Sequence, residues 1–388
     1  MPVELSPREI LEKLVSFPTV SRDSNLPLID WVEDYLTGWG IECHRVPNDE
    51  GDKASLYAVA GPAVEGGIAL SGHTDVVPVD GQDWTVCPPF ELTERDGRLY
   101  GRGAADMKGF DALAIAATVL AHRSGVKRPL YLALSYDEEV GCTGCVPMVA
   151  EMARLLPKPG AVIVGEPSLL QVIDGHKGGS SFHIHVKGVE VHSSIMHTGV
   201  SAVMEAAKIV DWANRMNAQN STRPPGPLSE GFVPHWTTVH TGMIRGGTAH
   251  NITAGDCWLD ISFRVVPDED YRAWNAALTE FVDDLRAQMQ AVSPAADITM
   301  EQVFTVPPLA PEHGGAAETL AKALTGRNSC EVVSYGTEAG HFQHHGWSAI
   351  VCGPGNIAQA HKPDEYIEIA QFNAGWDMLQ RAVRSLTD

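Results

Sequence analysis

The chain has 388 residues, more than one ordinary core accommodates, so two domains are expected. Apolar residues make up 44% and charged residues 20%, a balance that excludes a disordered chain. The 49 acidic against 28 basic side chains leave a net charge of −21, which disfavours nucleic acid and membrane surfaces and suits a cationic small molecule.

Ser6-Pro-Arg-Glu9 is a capping box with proline at the first helical position, and predicts a helix running to about Phe17. No basic segment followed by an apolar stretch opens the sequence, and no 18-residue apolar span occurs in it, so a cytoplasmic protein is expected. A second helix is predicted near Pro27–Thr37. The compact apolar runs Ile68–Leu70, Leu130–Ser135, Ala161–Val164 and Ala349–Val351 read as strands buried on both faces. Helical stretches at Phe110–His122 and Val146–Leu156 separate them. That alternation predicts an α/β fold with a mostly parallel central sheet flanked by helices. Cys142 and Cys145 form a CxxC, open to a redox, zinc or packing role. Without a second CxxC and behind an acidic run, this pair is expected to pack structurally, and seven cysteines, an odd number, favour free thiols in a reducing compartment.

The middle of the chain changes character. Ser181–Lys187 alternates polar and apolar residues as a half-exposed strand does, and a helix is predicted over Ser201–Met216. A proline-rich loop near Pro224–Pro227 leads to strands at Trp236–Ile244 and Asp256–Val265, a helix at Glu269–Ala291 and a strand at Ile298–Phe304. The order β-α-β-β-α-β is that of a ferredoxin-like α+β sandwich. Residues 178–304 are therefore expected to form a domain inserted into an α/β domain made of 1–177 and 305–388.

Four clusters carry the chemistry. His73-Thr-Asp75 ends the first apolar run, Asp106 sits in the glycine-framed turn 101–109, Asp137-Glu138-Glu139 ends the second run and Glu166 the third. Each alone has an ordinary reading, as a surface turn or a solvated acidic face. Together they sit where open α/β sheets bind ligands, outside the carboxyl ends of the strands. Carboxylates brought so close must take up protons or hold a cation between them, and two divalent ions meet that demand with oxygen and imidazole donors. His361, in Gln359-Ala-His361-Lys-Pro-Asp-Glu-Tyr366, is a further donor.

The segments SGHTDVVPVDGQDW, LYGRGAADMKG, YDEEVGC, GEPS, VEVHSS, GGTAHNI, SYGTEAG and AQAHKPDEY resemble the co-catalytic zinc family of acetylornithine deacetylase, succinyl-diaminopimelate desuccinylase, aminoacylases and glutamate carboxypeptidases. The resemblance implies that Asp106 bridges two metal ions, zinc first and cobalt next. His73 and Glu166 would complete one ion's protein ligands, Glu139 and His361 the other's. Glu138 would be the general base, and Asp75 would orient the His73 ring. A non-proline cis peptide is implied at Asp106–Met107. His192 matches a histidine lent to a partner subunit's site, so the inserted domain is expected to act as a lid and dimerisation domain in a homodimer. Asn251 and Arg264 match positions near the substrate, Arg264 and the Gly353-Pro-Gly355 turn being candidates for its carboxylate, and Glu338 for a side-chain ammonium. The implied reaction is amide hydrolysis of an N-acyl-L-amino acid, N2-acetyl-L-ornithine first. Other N-acyl amino acids, succinyl-diaminopimelate and dipeptides are the alternatives. A non-catalytic metal-binding interaction module would need neither Glu138 nor a full ligand set, and both are present.

Overall fold

The computed structural model describes residues 3–388. The chain divides into two compact units: Met1–Gly175 with Pro311–Val332 and Thr337–Asp388, and His176–Ala310 with Val333–Gly336.

The first unit is built on an eight-stranded sheet. Across it lie Glu42–Pro47, Ala54–Ala60, Leu130–Ser135, Ile68–His73, Ala161–Pro167, Ala349–Gly353, Ile173–His176 and Glu331–Val333. The four middle strands, from Leu130–Ser135 to Ala349–Gly353, run parallel. Glu42–Pro47, Ala54–Ala60 and Ile173–His176 join antiparallel on the flanks. Every residue of the four parallel strands is buried, which is why they read as unbroken apolar runs instead of alternating ones. Helix Lys108–Ser124 is rich in alanine and packs closely on the sheet; Gly125, at φ 60°, ends it in the left-handed conformation. The last helix, Ile369–Ser385, buries Phe372, Met378, Leu379 and Val383 in the same core. A separate three-stranded ribbon, Thr93–Arg95, Arg98–Tyr100 and Tyr366–Glu368, ties the C-terminal segment to the turn that carries Asp106.

The second unit is an antiparallel sheet in the order Thr238–Gly246, Asp256–Val265, Gly178–Lys187, Asp297–Val306. Helices Ala202–Asn220 and Tyr271–Val292 cover one face and enclose Phe182, Ile184, Trp212, Ile261, Phe263 and Leu278. The alternating burial of Gly178–Lys187 and Asp256–Val265 follows from having one covered face. The β-α-β-β-α-β order makes this unit ferredoxin-like, inserted into the α/β unit. Among the described residues no helix is long and apolar enough to cross a membrane.

Candidate metal centre

The carboxyl ends of the parallel strands converge on one cluster. His73 ends its strand with 1% exposure and fixes its ring by a contact of 2.9 Å from Nδ1 to the main-chain oxygen of Asp75. With Nδ1–H donating there, Nε2 turns to Asp106 Oδ1 at 3.2 Å and Glu166 Oε1 at 3.7 Å. The Asp75 carboxylate stands 3.6 Å from Nδ1. It accepts instead from Ser21 Oγ at 2.7 Å and from the N–H groups of Glu138 and Glu139 at 3.1 and 3.3 Å. Asp75 thus holds the histidine through its carbonyl, and the acidic turn through its carboxylate.

Asp106 is 5% exposed and its two oxygens face different imidazoles: Oδ1 the ring of His73, Oδ2 that of His361 at 3.3 Å. His361 Nε2 also lies 3.0 Å from Glu139 Oε2. The Asp106–Met107 peptide is cis. One oxygen each of Glu139 and Glu166 is buried without a hydrogen-bond partner among the described residues. His73 with Asp106 and Glu139 forms one group whose donor atoms lie within 4.8 Å of one another, and His73 with Glu138 and Glu166 a second. Bonds of about 2.0–2.2 Å to one ion separate neighbouring donors by roughly 3–3.5 Å, and the close donor pairs here lie 3.0 to 3.7 Å apart. Buried acid oxygens without partners, in a cluster that also gathers two imidazole nitrogens, fit a pair of dications.

The electrostatics point the same way. Burial pushes the Glu166 and Glu139 carboxyls up, and the Asp106 charge adds to it. Burial alone would depress His73, but Asp106 and Asp75 overcome it and hold the ring well above its usual range. Hydrogen bonds to Asp106 and Glu139 push His361 up to about 10. Asp106 is held below the ordinary carboxylate range, burial being outweighed by the two imidazoles. Raised carboxyls and raised imidazoles together mark an excess of negative charge that a pair of bound cations would relieve.

Glu138 sits at the centre of this field. Burial pushes its carboxyl up to about 8, opposed by His73 and reinforced by Glu139, Glu338 and Asp106. Cys142 donates its S–H to Glu138 Oε1 at 3.3 Å, and Cys145 donates to the Cys142 carbonyl at 3.2 Å. Both cysteines are buried free thiols, packed in the turn behind the acids.

Two expected substrate contacts are placed differently. Glu338 is 1% exposed and accepts from Ser71 Oγ at 2.9 Å and from Ser135 Oγ, so its oxygens are committed to the ends of two strands instead of standing free on a loop. Gly353 is buried and gives its N–H to Ser168 Oγ at 3.2 Å; a Cβ there would lie 1.9 Å from the Gly165 carbonyl oxygen. Close strand approach accounts for a glycine at this position.

His192, Asn251 and Arg264 belong to the second unit. The main chain of Ser193 donates to Asn251 O at 2.9 Å, and His192 bridges Ile252, so His192 and Asn251 are neighbours. His192 Nδ1 accepts from Ser194 N–H at 3.2 Å, which leaves Nε2 as the ring's donor, and the residue is exposed. Arg264 is exposed on Asp256–Val265, paired with Thr238 and Gly179. Another group of possible ligands, Asp174, Glu318 and Cys330, is accompanied by Lys322, whose Nζ lies 2.5 Å from Glu318.

Sequence reasoning passed over Arg102 and Glu365. Both are 1% exposed and paired at 2.6 Å across 263 positions. Their only sequence signal was membership in the GRG and PDEY segments.

The model of peptidase family M20/M25/M40 matches residues 69–385. The acetylornithine deacetylase of Myxococcus xanthus is 34% identical over 381 residues, covering 97% of this chain and 96% of that protein. Among solved structures, an M20 metallo-carboxypeptidase from Sulfolobus solfataricus superposes with a TM-score of 0.79 at 17% identity, over 98% of this chain and 99% of the other. A dinuclear metal-binding M20 peptidase from Bacillus subtilis gives 0.62 at 14% identity, over 98% of each chain. The chain belongs to peptidase family M20/M25/M40. It is a metal-dependent amidohydrolase.

Proposed function

We propose that the protein removes the acetyl group of N2-acetyl-L-ornithine, giving L-ornithine and acetate, as a cytoplasmic homodimer serving arginine biosynthesis. The observation that carries the metal chemistry is the carboxylate of Asp106, one oxygen toward His73 and the other toward His361. In this reading Asp106 would be shared by two ions, one held further by His73 and Glu166 and the other by Glu139 and His361. Zinc and cobalt accept the same donors. When bound, such a pair supplies Lewis-acid polarisation of the scissile carbonyl and a water acidified toward neutral pH.

The chain's own groups do the rest. Glu138 takes a proton from the attacking water and returns it to the leaving amine. Asp75 pins the backbone of Glu138 and Glu139, so the base and one ligand keep a fixed register. His192 offers Nε2–H to the developing oxyanion in the partner subunit's site. Arg264 holds the α-carboxylate and Asn251 contacts the substrate beside it. The substrate's side-chain ammonium suits a chain of net charge −21.

The homodimer draws support from the edge strand Thr238–Gly246, which among the described residues has a neighbour on one side only and exposes Met243 and Ile244. The deacetylase reading draws on the Myxococcus relative, which matches over nearly its whole length.

Steady-state kinetics on N2-acetylornithine, other N-acyl amino acids, N-succinyl-diaminopimelate and dipeptides test the substrate. A preference for any of the others sinks acetylornithine. Glu138→Gln should lower kcat by about 10²–10⁴-fold with metal content unchanged; a smaller loss removes Glu138 as the base. Mixing Glu138→Gln with His192→Ala subunits should regenerate activity as subunits exchange, and no recovery despite exchange refutes the shared site.

A further inference from the structure

We propose that the buried Arg102–Glu365 ion pair is a positioning element of the metal centre, a clasp that holds the Asp106 turn and the His361 loop in one register. The inference rests on reading Asp106 and His361 as ligands, and it goes beyond that reading by naming what sets their separation.

The contacts divide cleanly between the two loops. Glu365 Oε1 accepts the N–H groups of Ala105 and Asp106 at 2.9 and 3.1 Å. Its other oxygen accepts from Arg102 Nη1 at 2.6 Å. The same Nη1 donates to the carbonyl of Lys362 at 3.2 Å, next to His361. Arg102 Nη2 donates to Gln82 Oε1, and Gln82 Nε2 donates to the carbonyl of His361 at 3.1 Å. The glutamate therefore grips the Asp106 turn, while the arginine and Gln82 grip the His361 loop. The Gly101 N–H, donating to Glu365 O at 2.9 Å, closes the link along the main chain.

The His361 loop needs such an anchor. His361 and Asp364 both have positive φ, 65° and 54°, and the His361 side chain is 53% exposed. Half in solvent, the ring is held by its Nε2 contacts with Asp106 and Glu139, and its backbone must be fixed for Nε2 to reach them. Asp364 adds an outer tie, accepting from Thr85 and Val86 N–H at 2.9 and 3.0 Å.

A buried ion pair is a costly way to stabilise a fold, since an apolar pair of similar volume often does as well. An apolar pair cannot, however, accept two N–H groups on one side and donate to a loop carbonyl on the other. Geometry, more than stability, explains the two charges.

The test uses the full chain with two variants, Glu365→Gln and Arg102→Met/Glu365→Gln. In the single variant the glutamine oxygen can still accept the two N–H groups, but its amide meets the guanidinium donor to donor. The double variant removes the unpaired buried cation, so it folds even where the single variant does not. Zinc is titrated calorimetrically into metal-free protein, and amide exchange is followed in peptides covering 101–106 and 361–366. Zinc affinity is expected to fall about 10–100-fold at one site or more in every folded variant. Both peptides should lose protection together, with the second unit unchanged. Folded variants with wild-type zinc affinity and undisturbed exchange overturn the clasp. A wild-type chain that binds no zinc, cobalt or manganese overturns the metal reading instead; joint deprotection of the two peptides would then still support the register, and unchanged exchange would refute it.

Discussion

His176 opens the second unit and is fully buried, with its Nδ1 3.0 Å from the Lys177 carbonyl oxygen. Burial pushes its imidazole down to about 4 from an ordinary value of 6.5, with the Arg264 charge acting in the same direction. Above pH 6.5 the ring is neutral in folded and unfolded chains alike and contributes no pH dependence. As pH falls below 6.5 the unfolded chain takes up a proton that the native chain refuses until about pH 4, so stability is lost through that window. A depression of 6.5 − 4 = 2.5 units at about 1.4 kcal/mol each amounts to ~3.5 kcal/mol well below pH 4, and to roughly 3 kcal/mol across the window itself. His176→Gln keeps an N–H donor for the carbonyl and removes the titration. Urea unfolding of both proteins across the window, read by amide exchange in peptides of the second unit, isolates the difference because other titrating groups cancel. The wild type should lose about 3 kcal/mol more than the variant between the two limits. Parallel pH profiles would refute the reasoning.

Two further outcomes follow from the first unit. Gly353→Ala places a Cβ 1.9 Å from Gly165 O and 2.6 Å from Glu166 O, both backbone atoms, so the strands must part. A loss of about 3 kcal/mol, seen as a lower denaturation midpoint, is expected, and a change below about 0.5 kcal/mol would contradict the packing. Chelation should lower the melting temperature at neutral pH, because the buried oxygens of Glu139 and Glu166 lose their counter-charge. Restoring zinc at about 100 times its dissociation constant should return roughly 3 kcal/mol by calorimetry, and an unchanged melting temperature would argue against bound dications.

The parallel strands were legible because burial on both faces leaves runs such as Leu130–Ser135 and Ala161–Val164 with no polar interruption. The ferredoxin-like order was legible for the opposite reason, the alternation of Gly178–Lys187. Flanking strands such as Glu42–Pro47 and Ala54–Ala60 went unread; the first is partly exposed and the second buried, so neither shows a clean period of two. Strand ends and turns marked the clusters, the family resemblance picked the five expected ligands out of them, and the structure brings these side chains together. Glu338 shows where that reasoning stops. A glutamate after Gly-Thr reads as a loop acid, and only the fold reveals that Ser71 and Ser135, 267 and 203 positions earlier, supply its hydrogen bonds. Arg102 and Glu365 escaped for the same reason: each is unremarkable locally, and their partnership exists only in three dimensions.

The ribbon joining Arg98–Tyr100 to Tyr366–Glu368 has a consequence for biosynthesis. A nascent chain leaving the ribosome carries His73, Asp106, Glu139 and Glu166 while His361 is still unmade. Until the tail docks, those acids have neither their last imidazole nor the pairing that orders its loop. In the proposed two-ion reading, a product truncated ahead of that ribbon would carry the acids without the imidazole of His361 or the strand pairing that orders its loop.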